Sequence, residues 1–233
     1  MAVGFLFVSF TMAMQSDNRD TYQPLTLLQF GIELRRMVES DKEIVRLGRN
    51  KDFVRENHVY RKIITEAEQD KWFDEMNRKE HYVFVVVHDG KRIGVVYLRD
   101  IPADRASSTC GLFFWDDDYI STRIPVFAAF LALDFASYYC EVQRIDSIVL
   151  KNNTAGIKMY SFFGFDLHEK DADSYLITIN RDTYLKKRDG LMNFIKRAIK
   201  NKAEHELRFS GSQGSLNYDI VNRLLANYVA TAT

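Results

Sequence analysis

Asn153-Thr-Ala-Gly-Ile-Lys-Met-Tyr160-Ser-Phe-Phe-Gly164-Phe165 separates two β-rich runs, and its reading decides the fold. Before it, Ile145-Asp-Ser-Ile-Val-Leu150 has the length and β-branched content of a strand. Thr154 to Phe162 reads as a helix, and Ser174-Tyr-Leu-Ile-Thr-Ile-Asn180 as the closing strand. Strand, helix and strand in that order make a crossover unit of an α/β sheet.

Outward from this unit, Pro125 to Tyr139 is a long apolar helix. Ser121 or Thr122 is placed to cap it, and Pro125 suits a first turn, where a missing N–H costs nothing. Ser108 to Trp115 reads as a strand running into the acidic turn Asp116-Asp117-Asp118. Tyr82 to Val87 and Ile93 to Leu98 flank an Asp89-Gly90 turn, which makes them a hairpin. Further upstream, Ser40-Asp41 offers a cap to a short helix with Ile44, Val45 and Leu47. Thr65-Glu66-Ala67-Glu68 has the capping-box pattern ahead of Trp72, Phe73 and Met76. Alternation around Ile32-Glu33-Leu34-Arg35 gives a first half-buried strand. The order is β-α-α-β-β-β-α-β-α-β-β: hairpins, then a crossover. It predicts an α/β fold with one mixed, mostly antiparallel twisted sheet and helices on both faces. Right-handed crossover geometry sets the helices starting near Ser121 and Asn153 side by side.

Composition excludes several classes of function. Lys+Arg and Asp+Glu are both 32 in 233 residues, so no global basic field exists to hold nucleic acid. The two cysteines, Cys110 and Cys140, form no CxxC or Cys/His cluster, which excludes a disulfide scaffold and a structural zinc site; reduced thiols fit a cytoplasmic protein. The apolar run Val3 to Phe10 is far short of the ~20 residues of a membrane span and lacks the basic flank of a signal peptide. Residues 1–26 therefore read as a leader or arm, with a natural start conceivable at Met12 or Met14. Residues 27–184 read as the folded domain. Residues 185–233 read as a helical tail, with an amphipathic basic stretch Leu191 to Ile199 packed on the domain, a break Ser210 to Ser215 and a last helix Tyr218 to Val229. Leu224-Leu225 in that helix suits a homodimer contact.

The Asn153 to Phe165 stretch resembles the N-x-x-A-x-x-x-Y-x-x-x-G-F signature of the GCN5-related N-acetyltransferases, with Gly156 where alanine is usual. Arg49-Asn50, Arg55, Ile63 to Gln69 and Trp72-Phe73 are similar to the branch of bacterial amino-sugar and ribosomal-protein N-terminal acetyltransferases. The resemblance spans roughly Gly31 to Tyr184 and implies acetyl-coenzyme A as cosubstrate. It gives Tyr160 the role of acid, since a phenol of pKa near 10 can protonate a departing thiolate. It places Asn153 on the pantetheine arm and implies that the strand carrying Leu112, Phe113 and Phe114 splays from Ile145 to Leu150, so that backbone N–H groups face the cosubstrate.

One departure from the family pattern stands out. Where relatives carry Q/R-x-x-G-x-G/A to wrap the pyrophosphate, this chain has Ile120-Ser121-Thr122-Arg123-Ile124-Pro125. Proline removes an amide donor and the added Cβ atoms block close approach, leaving Ser121, Thr122, Arg123 and Ile124 to bind phosphate by other contacts. By resemblance Arg49, Asn50 and Arg55 face the acceptor, where they pair with a nucleotide diphosphate or solvate a helix. Glu66, Glu68, His81 and Asp100 are general-base candidates by residue type alone, and the acidic turn is read as solvated rather than metal-binding. The expected function is transfer of acetyl to a small-molecule primary amine, foremost that of a nucleotide-linked amino sugar, directly within a ternary complex. The alternatives are a protein N-terminal acetyltransferase and a non-catalytic acyl-coenzyme-A-binding module.

Overall fold

The structure is a computed structural model and describes residues 25–76 and 81–211. Residues 1–24 of the leader with both candidate starts, residues 212–215 of the break and the Tyr218 to Val229 helix with Leu224-Leu225 lie outside the described residues, while Leu25 and Thr26 of the expected leader belong to the first strand.

Nine strands form one sheet in the order β7-β8-β6-β5-β4-β3-β2-β1-β9. They are β1 (Leu25–Gln29), β2 (Ile32–Arg36), β3 (Tyr82–His88), β4 (Lys91–Arg99), β5 (Ser108–Phe114), β6 (Arg144–Leu150), β7 (Asp166–Glu169), β8 (Ser174–Asn180) and β9 (Arg208–Gly211). Every neighbouring pair is antiparallel except β5 and β6, as the hairpin-then-crossover order requires. The helices are α1 (Lys42–Arg49), α2 (Asp52–Glu56), α3 (Glu66–Met76), α4 (Asp117–Ile120), α5 (Ile124–Asp134), α6 (Thr154–Phe163) and α7 (Arg181–Ala198), with α5 running on into a π-helical turn at Phe135–Tyr139.

The single strand expected around Ile32 is a hairpin of two. Phe30 and Gly31 both have positive φ, 58° and 73°, as in the Asp89-Gly90 turn with 48° and 72°. Asp-Gly announces such a turn, whereas phenylalanine disfavours it. Phe30 adopts it because its ring is buried against Phe127 and Phe130, with centroids 5.8 Å from each, and because its N–H donates to Glu204 O at 2.6 Å.

One sheet face packs Leu34, Phe84, Val96 and Ile177 against α5, α6 and α7. The other carries a smaller core of Val45, Phe73, Val85, Val95 and Trp115 under α1 to α3. Asp41 stands at the start of α1 but does not cap it. Its buried carboxylate accepts from Arg35 (2.8 and 3.0 Å), Val38 N–H (2.9 Å) and Arg92 (3.2 Å), fastening α1 to β2 and β4.

The division expected at Tyr184 falls inside α7. Arg188 donates twice to Asp134 of α5 (2.8 Å each) and the Tyr184 hydroxyl donates to the same carboxylate at 2.6 Å, all three side chains being buried. Leu191, Met192, Ile195 and Leu207 join the main core, and β9, unforeseen in the sequence, pairs with β1. Residues 185–211 therefore belong to the same body as the sheet.

Candidate active site

β5 and β6 pair only at Ser108 with Ile145 and at Thr109 with Asp146, then diverge. At the parting, Ser147 Oγ donates to Cys110 O at 2.8 Å and is also the polar neighbour of the Tyr160 phenol. Backbone groups of an antiparallel strand alternate between its two edges. Since Trp115 N–H donates to Ile93 O of β4 at 3.0 Å, the amides of Phe113 and Gly111 also face β4. Those of Leu112 and Phe114 face the gap, where β6 offers no partner. The splay expected by resemblance is thus present.

On the α5 and α6 side this gap is bordered by Leu112, Ala129, Leu133, Met159 and Tyr160. Asn153 caps α6, its side-chain oxygen accepting from Gly156 N–H at 2.9 Å. A Cβ at residue 156 would press on that side chain, so glycine at this point lets the cap close. The cap uses Asn153 as an acceptor and leaves its NH2 group to donate. Gly164, at φ 94°, terminates α6 and returns the chain to β7. Tyr160 packs edge-on to Phe165, and burial keeps its phenol protonated.

The turn entering α5 is closed to itself. Thr122 Oγ1 donates to Tyr119 O (2.7 Å) and accepts from Ile124 N–H (3.2 Å), while Pro125 has no N–H. Two donors of the first turn are therefore withheld from a phosphate. Ser121 and Arg123 are exposed and retain theirs.

On the opposite face a cavity of about 570 Å³ lies between β4, β5, β6 and the α1-to-α3 segment. Its walls include Arg49, His58, Tyr60, Glu68, Tyr97 and Phe113, and it reaches Cys110 and Ser147 at the splay. The residues carried over as acceptor-facing divide here. Asn50 does not line the cavity; it exchanges two 2.8 Å hydrogen bonds with the Ile64 backbone. Nor does Arg55, which donates to Arg61 O at 3.1 Å and pairs with Asp52. Both staple the 57–65 loop that roofs the cavity. Arg49 does line it, donating from Nη2 to Tyr60 O at 2.9 Å, while its buried Nη1 has no hydrogen-bond partner.

Glu68 alone of the four base candidates lines the cavity. Its carboxylate accepts from Thr65 N–H at 2.8 Å and Thr65 Oγ1 accepts from Glu68 N–H at 3.2 Å, completing the expected capping box and holding the carboxyl below its usual range. Glu66 is exposed, 3.9 Å from Arg46; His81 accepts from Asp100 N–H at 2.9 Å. In the acidic turn Asp116 caps α4 by accepting from Asp118 N–H. His58, not singled out in the sequence, meets Phe113 edge-on at 5.4 Å; burial, aided by Arg49, pushes its imidazole down to about 3, so it is neutral. No sequence signal marks it, because a lone histidine in a loop looks the same wherever it folds. Burial likewise pushes the Cys110 thiol up to about 12.

A sheet parted between two parallel strands, a phenol beside the parting and a cavity opening on it from the far face are the arrangement the resemblance leads one to expect of a thioester-dependent acyltransferase. The sequence model for the acetyltransferase (GNAT) domain matches residues 32–166, more than half of the chain, and the chain belongs to this family of acetyl-coenzyme-A-dependent N-acetyltransferases. Among solved structures it is similar to FdhC, described as a nucleotide-linked sugar GNAT, with TM-score 0.61 and 20% identity over 73% of this chain and 98% of that one. It is similar also to the spermidine N-acetyltransferase of Vibrio cholerae with CoA and spermine (TM-score 0.59, 16% identity, 66% and 98% covered). A third is RimL, a ribosomal-protein alpha-N-acetyltransferase, in complex with coenzyme A (0.58, 15%, 66% and 96%). At these identities the likenesses show the fold. No protein of curated function matches the chain by sequence. No helix among the described residues is long and apolar enough to cross a membrane.

Proposed function

We propose that this N-acetyltransferase acetylates the primary amine of a nucleotide-linked amino sugar by direct transfer between the two faces of the splay. The observation that carries the reading is Arg49: a buried guanidinium nitrogen without a partner, on the wall of the acceptor cavity. A buried donor left unmade costs free energy that an incoming phosphate oxygen restores. The cavity wall carries Arg49, Glu68 and Arg99, the last paired with Asp100 at 3.3 Å, which leaves Arg49 as the cation without a carboxylate partner and suits an anionic nucleotide. Tyr60, Tyr97 and Phe113 add aromatic surface of the kind that packs on a sugar or base. The reading agrees with the sugar-nucleotide description of FdhC.

Acetyl-coenzyme A supplies an acetyl carbon that exchanges a thiolate for the acceptor nitrogen. In this reading the Leu112 and Phe114 amides hold the pantetheine arm, and Arg123 and Ser121 meet the pyrophosphate. Tyr160 keeps a proton at its phenol oxygen, which burial prevents it from losing at neutral pH. Cys110, a protonated thiol at that pH, does not serve as an acyl carrier.

The test is acetyl transfer to uridine- and thymidine-diphosphate-linked amino sugars, with spermidine and an N-terminal peptide alongside. We expect turnover of a nucleotide sugar. Arg49→Ala should raise its KM about ten- to a hundredfold, the range of one charge-assisted hydrogen bond, with kcat changed less. Added salt should raise the same KM. Faster turnover of spermidine or peptide, or an Arg49→Ala KM within twofold of wild type, refutes the reading.

A further inference from the structure

We propose that Tyr97 gauges the acyl group, admitting acetyl and turning away longer acyl thioesters. The inference rests on the reading that the donor lies along the gap between β5 and β6.

Strand register sets Tyr97 of β4 directly opposite Gly111 of β5. Its ring lies across that glycine: a Cβ at 111 would fall inside the van der Waals envelope of Tyr97 Cζ and its hydroxyl. Gly111 is therefore the seat of the ring, and any other residue there would lift it. Side chains alternate along β5, so Phe113 belongs to the core under α1 to α3 while Cys110 and Leu112 belong to the other face. Tyr97, like Phe113, packs against the core under α1 to α3, yet it borders both the acceptor cavity and the donor-side cleft. It does so because the bare backbone at 111 lets the phenol reach over the strand. Cys110 is the other residue that borders both, and it comes from the strand itself. Together they frame the opening through which an acyl group on one face meets an amine on the other.

The chemistry across that opening is a C–N bond formed and a C–S bond broken, the amine proton leaving and the thiolate taking one up. Only the acyl carbons need to enter it. An acetyl presents one methyl beyond the carbonyl; butyryl presents two more carbons, directed at the Tyr97 ring. This half-buried ring does not yield as a loop does, because it is seated on Gly111 and has the Arg99 guanidinium 5.8 Å from its centre. A filled apolar pocket discriminates by roughly 10–200-fold per methylene.

Binding reads this without an acceptor. Calorimetric titration of the full chain with coenzyme A and with acetyl-, propionyl- and butyryl-coenzyme A should give similar affinities for the first two and at least ~10-fold weaker binding of butyryl. Tyr97→Leu should bring butyryl within about threefold of acetyl, and Tyr97→Phe, which keeps the ring, should retain the discrimination. Should Tyr97→Leu not fold, Tyr97→Met carries the same expectation with more of the volume kept. Equal binding of acetyl and butyryl by the natural chain, or discrimination that survives loss of the ring, overturns the proposal. A natural chain that binds no coenzyme A thioester overturns instead the donor-site reading beneath it.

Discussion

Replacing Pro125 by glycine returns to the first turn of α5 the amide that the chain lacks there, and the structure gives the size of the effect. Ile124 N–H is already taken by Thr122 Oγ1, so a donor at 125 would stand free at the positive end of the helix. One hydrogen bond to a charged acceptor contributes about 1.5–3 kcal/mol, which is roughly a 10- to 100-fold gain in affinity. Against this, losing proline costs about 0.4–1 kcal/mol of folding stability through the unfolded chain, and glycine in a helical turn costs up to about 1 more. At about 2–4 °C per kcal/mol for a chain of this size, Tm should fall by about 1–8 °C. The gain should depend on the ligand. Calorimetry of Pro125→Gly should show tighter coenzyme A and dephospho-coenzyme A, both of which carry the pyrophosphate, and unchanged pantetheine, which does not. Equal tightening of pantetheine, or no gain for coenzyme A in a variant that melts within the expected range, would refute the assignment of this turn to the pyrophosphate.

Tyr160→Phe removes the proton held beside the splay and should lower kcat about 100-fold or more, with coenzyme A affinity preserved; steady-state kinetics with a kcat within threefold of wild type would dismiss the phenol as the acid. Arg188→Leu leaves the Asp134 carboxylate buried without its cation and should cost about 3–5 kcal/mol, measured as a lower denaturation midpoint; a loss under about 1 kcal/mol would mean that the pair does not fasten α7 to α5. His58 supplies a pH signature. Its folded pKa, about 3, lies below the unfolded value, so between about 6.5 and 3 the unfolded chain binds the extra proton and stability falls as pH falls. From pH 7 to pH 5 that is a loss of about 2 kcal/mol, which should be absent in His58→Gln; parallel stability profiles of the two proteins would place His58 in water.

Where sequence chemistry is local, it reads through to the fold. Asp89-Gly90 fixes its hairpin because both residues tolerate positive φ, and Thr65 to Glu68 closes its capping box within four residues. The Phe30-Gly31 turn depends on a buried ring and on a carbonyl 174 residues away in sequence, at Glu204, so nothing near Phe30 announces it. β9 is four residues whose pairing with β1 supplies most of their reason to be extended. In the site, Tyr160 and Asn153 share one helix and are legible as a spacing. Arg49, His58, Tyr97 and Phe113 come from four segments and converge only through the fold. Asn50 and Arg55 show the opposite error: a polar residue next to a site has the same composition whether it touches substrate or, as here, holds the loop above it.

The two faces of the splay divide the work unequally, and this bears on the missing base. In the proposed function the donor is met mostly by main chain, the Leu112 and Phe114 amides, which would leave side-chain identity there free to drift while the function stays. The acceptor is met by side chains, and these do more than select. An ammonium entering the cavity leaves water for aromatic walls and approaches Arg49, while Arg99 is paired with Asp100 and Glu68 stands on the same wall. Desolvation disfavours its protonated form and lowers its pKa toward neutrality. His58, neutral down to about pH 3, takes up no proton from it. In the proposed reading the cavity sheds the amine proton by desolvating the ammonium, with Glu68 the one carboxylate on its wall. Glu68→Gln should accordingly lower kcat/KM by less than about tenfold, where removal of a dedicated base costs about 10²–10⁴. A loss in that larger range would mean that Glu68 is the base and that the rest of the wall serves binding alone.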